Sequence, residues 1–420
     1  MKWHLKNTKT VPTLIIHENQ KDILLYSKYD PMKDVITWID GIQINKQSKD
    51  IIIIGMGLGY HVLHLAQKYN NYQIHVFEFN NAFAEWLIKN ELLNFIDSNK
   101  NIKFYYQKDL RKLLAELSSI MIKAQNNFFI HKPSLNLIEN YEIKLMLQSF
   151  IIKRDTINDH GELLDFNYKK NIELNDKDIR PFLSLYKNHP IILASAGPSL
   201  TKHLSLLKKA LESKIQIACV GTALKPLISA GIIPSFIMIS DPNDKILEQF
   251  ENLYNLNIPL FYLSTANNLT VKTYNGPRYV VWQKGYGPAE VQAKAVGVPL
   301  VETGGSVATC LLDLLVKMGF NKIALVGQDL AFTDFQSHAQ GTHAYRKIKG
   351  FSNLIKVDDY YLKNKIYTSR NLYIYLRWFE MYAEKINHVE LWNCTEGGAH
   401  IKGWKHKTLK EFLNNVNSAE

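Results

Sequence analysis

The stretch PLVETGGSVATCLLDLLVKMGFNKIALVGQDLAF, residues 299–332, predicts the fold class because a turn, a helix and a strand follow one another within it. Gly304 and Gly305 predict the turn, and Ser306 stands at the helix start, where a side-chain oxygen can accept a hydrogen bond from a free backbone N–H. Apolar residues then recur at helical spacing as far as Gly319, which stands where a left-handed helix end is expected. This order of elements is typical of α/β proteins.

The strand in this stretch predicts a ligand-binding edge. The apolar run 323–326 indicates a short buried strand, and Gln328 and Asp329 follow it. In open α/β sheets, ligands bind outside the carboxyl ends of strands and at helix starts, where free N–H groups attract anions. The helix start at Ser306 and the strand end at Asp329 are therefore both candidate binding positions.

A second strand end lies earlier in the chain, in the sequence PIILASAGPSL, residues 190–200. The run 191–194 predicts a buried strand, and Gly197 and Pro198 predict a sharp turn. Ser199 is expected to cap the following helix, whose start can bind a phosphate or a carboxylate. The alternative is a structural turn that binds no ligand.

Further strands are expected at 215–220, 236–239, 258–265 and 278–283. Together with the two strands above, and with helices between them, they predict one doubly wound, mostly parallel sheet. Thr222 and Asp241 follow two of these strands on the ligand-binding edge. Asp241 and Asp329 could hold ribose hydroxyls, a magnesium ion or an acceptor, or could only cap loops.

The polar sequence TDFQSHAQGTHAYRK, which follows the last of these strands, contains His338 and His343. A histidine can act as a general base near neutral pH. His338, His343 and Asp241 are therefore the candidate catalytic residues, and the alternative for each histidine is a solvated loop position.

The sequence DIIIIGMGLGYHVLHLAQKY, residues 50–69, predicts another parallel sheet nearer the N-terminus. Gly55, Gly57 and Gly59 turn from a strand into a helix, and Glu78 ends the next strand. This pattern is the first motif of S-adenosylmethionine methyltransferases, in which the carboxylate holds ribose hydroxyls. The alternative is a Rossmann-like scaffold whose glycines serve only the turn.

Length and composition predict a globular protein with several domains. The 420 residues carry a net charge of +11 and are 46% apolar, which is enough to build full cores. The expected domains are a Rossmann-like domain at 1–165, a central α/β domain at 166–350 and a helical region at 351–420. The basic residues are scattered, so nucleic-acid binding is not expected.

The cysteines and the hydropathy indicate the setting of the protein. Its three cysteines lie far apart in the sequence and predict neither a disulfide framework nor a zinc site. A reducing, cytoplasmic setting is therefore expected. No stretch is long and apolar enough to predict a membrane span.

Six motifs, read together, resemble the motility accessory factor (Maf) family of flagellin glycosyltransferases: GMGLGYH, ASAGPSL, SDP, TGGSVA, VGQDLAF and NCTEGGAHIKG. The resemblance covers most of the chain and implies a central domain similar to bacterial sialyltransferases. It also implies a cytoplasmic enzyme that transfers a nonulosonic acid, such as pseudaminic or legionaminic acid, from its CMP derivative to flagellin. The C-terminal region would then contribute to flagellin binding.

The resemblance also assigns site residues. In sialyltransferases a glycine-proline-serine loop and a later serine-glycine loop hold CMP. The predicted substrate-binding residues are Gly197, Pro198, Ser199, Thr222, Thr303, Gly304, Gly305, Ser306, Gln328 and Asp329. His343 or His338 is expected to take the proton of the acceptor hydroxyl, no cofactor is required, and magnesium is not expected.

Two other function classes stay open. Archaeal proteins similar to the central domain are 6-hydroxymethylpterin pyrophosphokinases, which use ATP and magnesium, and Asp241 and Asp329 could then be metal ligands. The third class is a non-catalytic flagellin chaperone that retains a degenerate site. Magnesium dependence would separate the first two classes, and flagellin binding without sugar transfer would identify the third.

Overall fold

The computed structural model describes residues 2–18, 21–124, 127–348, 350 and 354–418. It divides into two compact units, Met1–Arg154 and Asp155–Glu420. The division falls within one long helix, α6 (Tyr141–Glu173). The predicted boundaries at 165/166 and 350/351 are not tested by this division and stay predictions.

The first unit combines an antiparallel sheet with a parallel one. Its strands are β1 (Lys2–Lys6), β2 (Thr13–Glu18), β3 (Lys21–Leu24), β4 (Asp50–Ile54), β5 (Gln73–Phe77), β6 (Ile102–Tyr105) and β7 (Phe128–Ile130). Its helices before α6 are α1 (Pro31–Asp40), α2 (Tyr60–Lys68), α3 (Asn81–Lys89), α4 (Phe95–Ser98) and α5 (Leu110–Ala124).

The parallel sheet of this unit has the order β6-β5-β4-β7. The isoleucines of β4 are fully buried because the strand has a neighbour on each side and packed side chains on both faces. The chain winds from β4 to β6 and then returns to β7 on the other side of β4, as in Rossmann-like folds. The remaining strands form the antiparallel sheet β1-β2-β3.

The second unit is built around one large parallel sheet. The strands of the unit, of which β15 and β16 lie outside this sheet, are β8 (Lys177–Asp178), β9 (Pro190–Ala194), β10 (Gln216–Val220), β11 (Phe236–Ile239), β12 (Leu260–Leu263), β13 (Arg278–Val281), β14 (Lys322–Val326), β15 (Ile355–Asp358), β16 (Lys365–Thr368), β17 (Glu390–Asn393) and β18 (Lys405–His406). Its helices after α6 are α7 (Leu200–Glu212), α8 (Gly221–Ser229), α9 (Asn268–Thr273), α10 (Gly287–Val296), α11 (Val307–Met318), α12 (Arg370–Lys385) and α13 (Leu409–Asn417).

The strand order of this sheet is β18-β17-β14-β9-β10-β11-β12-β13-β8, and every pairing is parallel. The strands predicted from the sequence are all present, and the predicted doubly wound α/β fold is confirmed. The chain winds from β9 to β13 and then returns to β14, which pairs with the other side of β9. This reversal makes the carboxyl ends of β9 and β14 the expected ligand-binding crevice.

The C-terminal segment takes part in the same sheet. β17 pairs with β14, and β18 pairs with β17, so this segment supplies strands in addition to the expected helices α12 and α13. Helix α11 ends at Gly319, whose φ of 103° is the left-handed conformation predicted for it. Among the described residues, the helices are too short or too polar to cross a membrane.

Candidate functional site

The start of helix α7 is occupied by a carboxylate of the chain itself. Ser199 Oγ donates to Asp329 Oδ2 over 2.7 Å, and Thr333 Oγ1 donates to Asp329 Oδ1 over 2.5 Å. The backbone N–H of Ser199 also points at Asp329, at 3.3 Å from each carboxylate oxygen. Burial raises the pKa of Asp329, and the hydrogen bonds from Thr333 and Ser199 oppose this rise.

This contact changes the role of two predicted residues. The expectation that the Ser199 side chain caps α7 is wrong, because its hydroxyl bonds to Asp329 and makes no cap hydrogen bond. A Cβ at Gly197 would lie 2.1 Å from Asp329 Oδ2 and 2.5 Å from Gly327 O. Glycine at 197 therefore lets the loops after β9 and β14 touch. Pro198, between Gly197 and Ser199 in the sequence, is half-buried.

Gln328 is also held by the chain itself. Its Oε1 accepts from Ser195 Oγ over 2.6 Å, and its backbone N–H donates to Thr395 Oγ1 over 3.3 Å. These bonds join the carboxyl ends of β9, β14 and β17. The polar residues predicted after β14 thus fasten three neighbouring strand ends together, and their assignment to substrate stays a prediction.

The start of helix α11 differs from that of α7. Ser306 is the N-cap residue of α11, as predicted, but its side chain makes no cap hydrogen bond. Ser306 Oγ is buried and has no hydrogen-bond partner among the described residues. The turn before it is held from within, because Gly304 N–H donates to Thr309 Oγ1 over 2.9 Å. Thr303 is half-buried beside this turn.

Helix α12 covers the glycine turn with aromatic rings. A Cβ at Gly304 would lie 2.5 Å from Trp378 Cγ, and one at Gly305 would lie 2.8 Å from Tyr375 Cε1. Glycine is therefore required by close packing at both positions and, at Gly305, also by a φ of 96°.

A buried carboxylate fixes α12 against α11. Asp313 Oδ1 accepts from Tyr382 Oη over 2.6 Å, and Asp313 Oδ2 accepts from the Glu302 N–H over 2.7 Å. Lys317 Nζ also donates to Asp313 Oδ2, over 2.6 Å. The segment directly before the glycine turn is thereby tied to both helices.

Two further strand ends contribute polar groups. Asp241 follows β11 and is exposed, and its Oδ1 accepts from the backbone and side-chain nitrogens of Asn243, each over 2.9 Å. The Asp241 charge adds to burial in raising the pKa of Tyr375, so these two side chains lie near each other. Thr222, in the first turn of α8, accepts from Gln249 Nε2 over 3.1 Å.

The two predicted catalytic histidines lie in a loop that is anchored to the sheet edge. The Ala339 N–H donates to Ala196 O, after β9, over 2.9 Å. Partial burial of the largely exposed imidazole lowers the pKa of His343, the carboxylates of Glu248 and Asp241 oppose this, and Lys225 reinforces it. Burial and the neighbouring His343 lower the pKa of His338.

The protonation states that follow are suited to base chemistry. Both histidines are neutral at neutral pH, because their pKa values lie below the ordinary 6.5 of histidine. Neutral imidazole can accept a proton. His338 Nδ1 is buried and has no hydrogen-bond partner among the described residues, whereas His343 is exposed.

The structure therefore separates the predicted residues into two groups. One group consists of Gly197, Ser199, Gln328 and Asp329, which bond or pack mainly with each other. The others are not joined to that group: Ser306 follows the glycine turn, Asp241 follows β11, and His343 lies in the loop after β14. Sequence reasoning missed Tyr375 and Trp378 of α12, although their spacing on one side of an amphipathic helix was a signal. It also missed Glu248 and Lys225, which no motif indicates.

The glycine loop of the first unit is filled by side chains of that unit. A Cβ at Gly55 would lie 2.3 Å from Ser134 Cβ, and one at Gly59 would lie 2.4 Å from a ring carbon of Phe95. Gly57 faces the hydroxyl of Tyr26, which would lie 2.5 Å from its Cβ. This geometry favours the scaffold interpretation over a nucleotide site.

Glu78, the expected ribose ligand of that loop, is also engaged. It is 1% exposed, and its two oxygens accept from the N–H groups of Met56 and Asn80, each over 3.1 Å. Burial raises the pKa of Glu78 to about 7, and these backbone hydrogen bonds oppose the rise. Within the residues that the structure describes, no cluster of three or more His, Cys, Asp or Glu could hold a metal ion.

Comparisons with known proteins agree with this architecture. Residues 166–335 match the family described as MptE-like, 6-hydroxymethylpterin diphosphokinase MptE-like. The fold is similar to a solved Maf glycosyltransferase from Magnetospirillum magneticum AMB-1, with a TM-score of 0.51 and 16% identity over 92% of this chain. The chain spans 65% of the length of that structure. No curated protein sequence matches the chain.

The MptE-like match and the fold shared with the Maf glycosyltransferase both bear on the family resemblance predicted from the motifs. The MptE-like segment contains the strand ends of β9 to β14, where the candidate site lies. The likeness to the solved structure extends to the first unit as well, because it covers most of the chain. The chain thus has the fold of a Maf glycosyltransferase around an MptE-like segment, which confirms the resemblance to motility accessory factors that its motifs predict.

Proposed function

We propose that the chain transfers a nonulosonic acid, such as pseudaminic, legionaminic or a related sialic acid, from its CMP-activated donor to Ser or Thr of flagellin. The observation that carries the proposal is an unpartnered polar group at the start of α11. There a buried Ser306 Oγ without a partner among the described residues lies after an aromatic-covered glycine turn. Asp241 and the neutral His343 lie at the same sheet edge.

The donor phosphate belongs at the start of α11. A helix start attracts an anion through its free N–H groups and its dipole. The start of α7 already holds the carboxylate of Asp329, so a second anion there would have to compete with it for the N–H and the hydroxyl of Ser199. The phosphate contact predicted for Gly197 and Ser199 is therefore assigned instead to Ser306 and the turn before it.

The transfer itself needs one base. The acceptor oxygen forms a bond to the anomeric carbon with inversion, and the bond from that carbon to the phosphate oxygen breaks. CMP leaves with the electron pair, and because it is a good leaving group no strong general acid is required. His343 accepts the hydroxyl proton, a contribution typically worth about a hundredfold to ten-thousandfold in rate.

A second candidate function is supported by the family match. The matched description names a 6-hydroxymethylpterin diphosphokinase, a reaction that would use ATP and magnesium. Asp241 and Asp329 would then be the metal ligands. Both oxygens of Asp329 already accept hydrogen bonds from Ser199 or Thr333, which disfavours that role.

The test is the intact mass of flagellin co-expressed with this chain, in hosts with and without a CMP-nonulosonate pathway. We expect mass gains in steps of one nonulosonic acid residue only when the pathway and the chain are both present. Export does not affect this readout, since the proposed reaction occurs in the cytoplasm before export.

Absence of a mass gain would overturn the transfer proposal. Flagellin that still co-purified with the chain would then support the chaperone alternative. If flagellin did not bind either, formation of a pyrophosphorylated pterin from ATP, pterin and magnesium would support the second candidate.

A further inference from the structure

Two histidines of the antiparallel sheet β1-β2-β3 face each other through their ring nitrogens. His17 Nε2 lies 2.8 Å from His4 Nδ1, and the ring centroids are 4.6 Å apart. The two side chains share one face of the sheet, because His4 is two residues along β1 from Lys2, which stands directly opposite His17. Both histidines are exposed, so an ion in solution can reach them.

A carboxylate fixes the proton of the His17 ring. Asp22 stands directly opposite His17 on β3, and its Oδ1 lies 2.5 Å from His17 Nδ1. An ionised carboxylate can only accept a hydrogen bond, so His17 Nδ1 is the donor and carries the proton. In a neutral imidazole the other nitrogen then has a lone pair to offer. That nitrogen is Nε2, which faces His4.

The nitrogen of His4 can offer a lone pair to the same position. A neutral imidazole carries its single proton on either nitrogen, so His4 Nδ1 is free to accept once its proton moves to Nε2. Two lone pairs 2.8 Å apart repel each other unless a positive ion lies between them. The arrangement of His17 is also that of a metal ligand, because ligating histidines donate their other N–H to a carboxylate or carbonyl.

The distance between the nitrogens selects the kind of ion. With metal–nitrogen bonds of about 2.0–2.1 Å, nitrogens 2.8 Å apart span an angle of roughly 90° at the metal. Neighbouring ligands make this angle in the square-planar or tetragonal sites of Cu²⁺ and Ni²⁺, whereas the tetrahedral sites of Zn²⁺ need a wider one. Mg²⁺ and Ca²⁺ prefer oxygen ligands. The positive charge of Lys2 on the same face further disfavours ions that are held by charge alone.

We propose that His4 and His17 form a two-nitrogen site for Cu²⁺ or Ni²⁺ on the exposed face of β1 and β2. Water completes the coordination, so the ion binds reversibly. Asp22 is a positioning residue, because it bonds to the His17 nitrogen that does not face the ion. With two protein ligands, the site is smaller than the clusters of three that the described residues lack. It belongs to the first unit and does not depend on the proposed sugar transfer.

The experiment is calorimetric titration of the full chain with Cu²⁺, together with electron paramagnetic resonance, in which nitrogen couplings count the imidazoles on the ion. We expect one tightest site with two imidazole ligands. His4→Ala and His17→Ala should each weaken this site more than roughly tenfold, because even the loss of a residue that only orients a ligand costs about that much. Each variant should leave one imidazole in the spectrum.

Two further variants separate binding from positioning. Asp22→Asn should weaken Cu²⁺ binding roughly tenfold while the spectrum still shows two imidazoles, because Asp22 orients His17 and does not contact the ion. His388→Ala is the matched control, since His388 is an exposed histidine of the second unit, and it should bind Cu²⁺ as the wild type does. Without metal, His4→Ala and His17→Ala should keep the thermal stability of the wild type, because both side chains are exposed.

Three outcomes would overturn the inference. A wild-type chain that does not bind Cu²⁺ would refute the site. Unchanged binding by the double variant His4→Ala, His17→Ala would place the ion elsewhere on the chain. A loss of affinity in only one of the two single variants would show that one histidine, and not the pair, holds the ion.

Discussion

Each unit contains a glycine turn that leads into a helix, and only the turn of the second unit leaves a buried polar group without a partner among the described residues. Gly55 and Gly305 both have a positive φ, of 93° and 96°. In the first unit Ser134, Tyr26 and Phe95 fill the space at the turn. In the second unit aromatic rings cover one side of the turn, and the Ser306 hydroxyl stays without a partner among the described residues.

The carboxylates of the two edges differ in the same way. Glu78 is buried and bonded to two backbone N–H groups, whereas Asp241 is exposed and uses one oxygen for its own loop. A glycine turn at the start of a helix is therefore not sufficient for a binding site. Whether a turn can bind a ligand depends on whether side chains of the same unit already fill its space and bond to its polar groups. Each prediction below tests this difference between the two units.

The largest effect is expected at the edge with free polar groups. His343→Asn should lower the rate of transfer to flagellin by about a hundredfold to ten-thousandfold, because the proton of the acceptor hydroxyl loses its base. The rate should be measured with purified flagellin and donor. In the wild type the rate should fall only at a pH below the ordinary histidine value of about 6.5, since partial burial lowers the pKa of His343.

The matched control is His189→Asn, at the opposite edge of the sheet, where the ring bonds to the Lys187 carbonyl. It should leave the rate unchanged. If His343→Asn transferred the sugar at the wild-type rate, the base assignment would be wrong, and His338→Asn would be the next variant to measure.

The next effect concerns the glycine turn of the first unit, which side chains of that unit fill. Gly55→Ala should lower the free energy of unfolding by about 3 kcal/mol, because its Cβ would meet Ser134 Cβ at 2.3 Å and its φ is positive. The double variant Gly55→Ala, Ser134→Gly should recover the packing part of this loss. Urea unfolding of the full chain measures both.

The control for this prediction is Gly161→Ala in α6, where a Cβ would meet no atom within 4 Å. Alanine should be neutral or stabilising there, since it is the better helix former. A Gly55→Ala variant as stable as the wild type would mean that the turn has room, and the comparison between the two edges would fail.

Glu78 should make stability depend on pH. Its pKa in the folded chain is raised from 4.5 to about 7, so its stabilising contribution is complete below about pH 4.5 and is lost as the pH rises through 7. The free energy of unfolding of the wild type, relative to Glu78→Gln, should fall by about 3 kcal/mol across this range. Glu85→Gln, on the exposed side of α3, should show no such change.

The smallest effect compares the two helix starts of the second unit. Ser306→Ala should weaken CMP binding roughly tenfold without lowering stability, because Ser306 Oγ has no partner to lose among the described residues. Ser199→Ala should instead lower the free energy of unfolding by about 1–3 kcal/mol, because it removes a hydrogen bond to the buried Asp329. Titration with CMP and urea unfolding separate the two. Equal weakening of CMP binding by both variants would place α7 in the phosphate site.

Much of the fold could be predicted because it depends on local patterns. The apolar run at 51–54 and the runs that form β9 to β14 are buried strands, as their β-branched and apolar residues indicate. Gly319 ends α11 as predicted. The joining of β17 and β18 to the same sheet could not be predicted, because a short strand carries no information about its distant partner.

The candidate site was predictable only at its strand ends. Asp241 follows from the rule that polar residues cluster at the carboxyl edge of a parallel sheet, whereas His343 was indicated only as a histidine in a polar loop. Tyr375 belongs to a helix that begins far along the chain from Gly305, and only the packing of α12 on α11 brings them together. The bond between Ser199 and Asp329 likewise joins residues on different strand ends.

The sequence by itself determined the α/β class, the order of most strands and helices, and the edge at which polar groups collect, because these depend on periodicity and on the handedness of crossovers. The tertiary structure alone decided which glycine turn keeps free polar groups. Whether a turn is filled depends on side chains distant in sequence, such as Ser134 at Gly55 and Tyr375 at Gly305. Their placement results from packing of the whole unit, which no local pattern encodes.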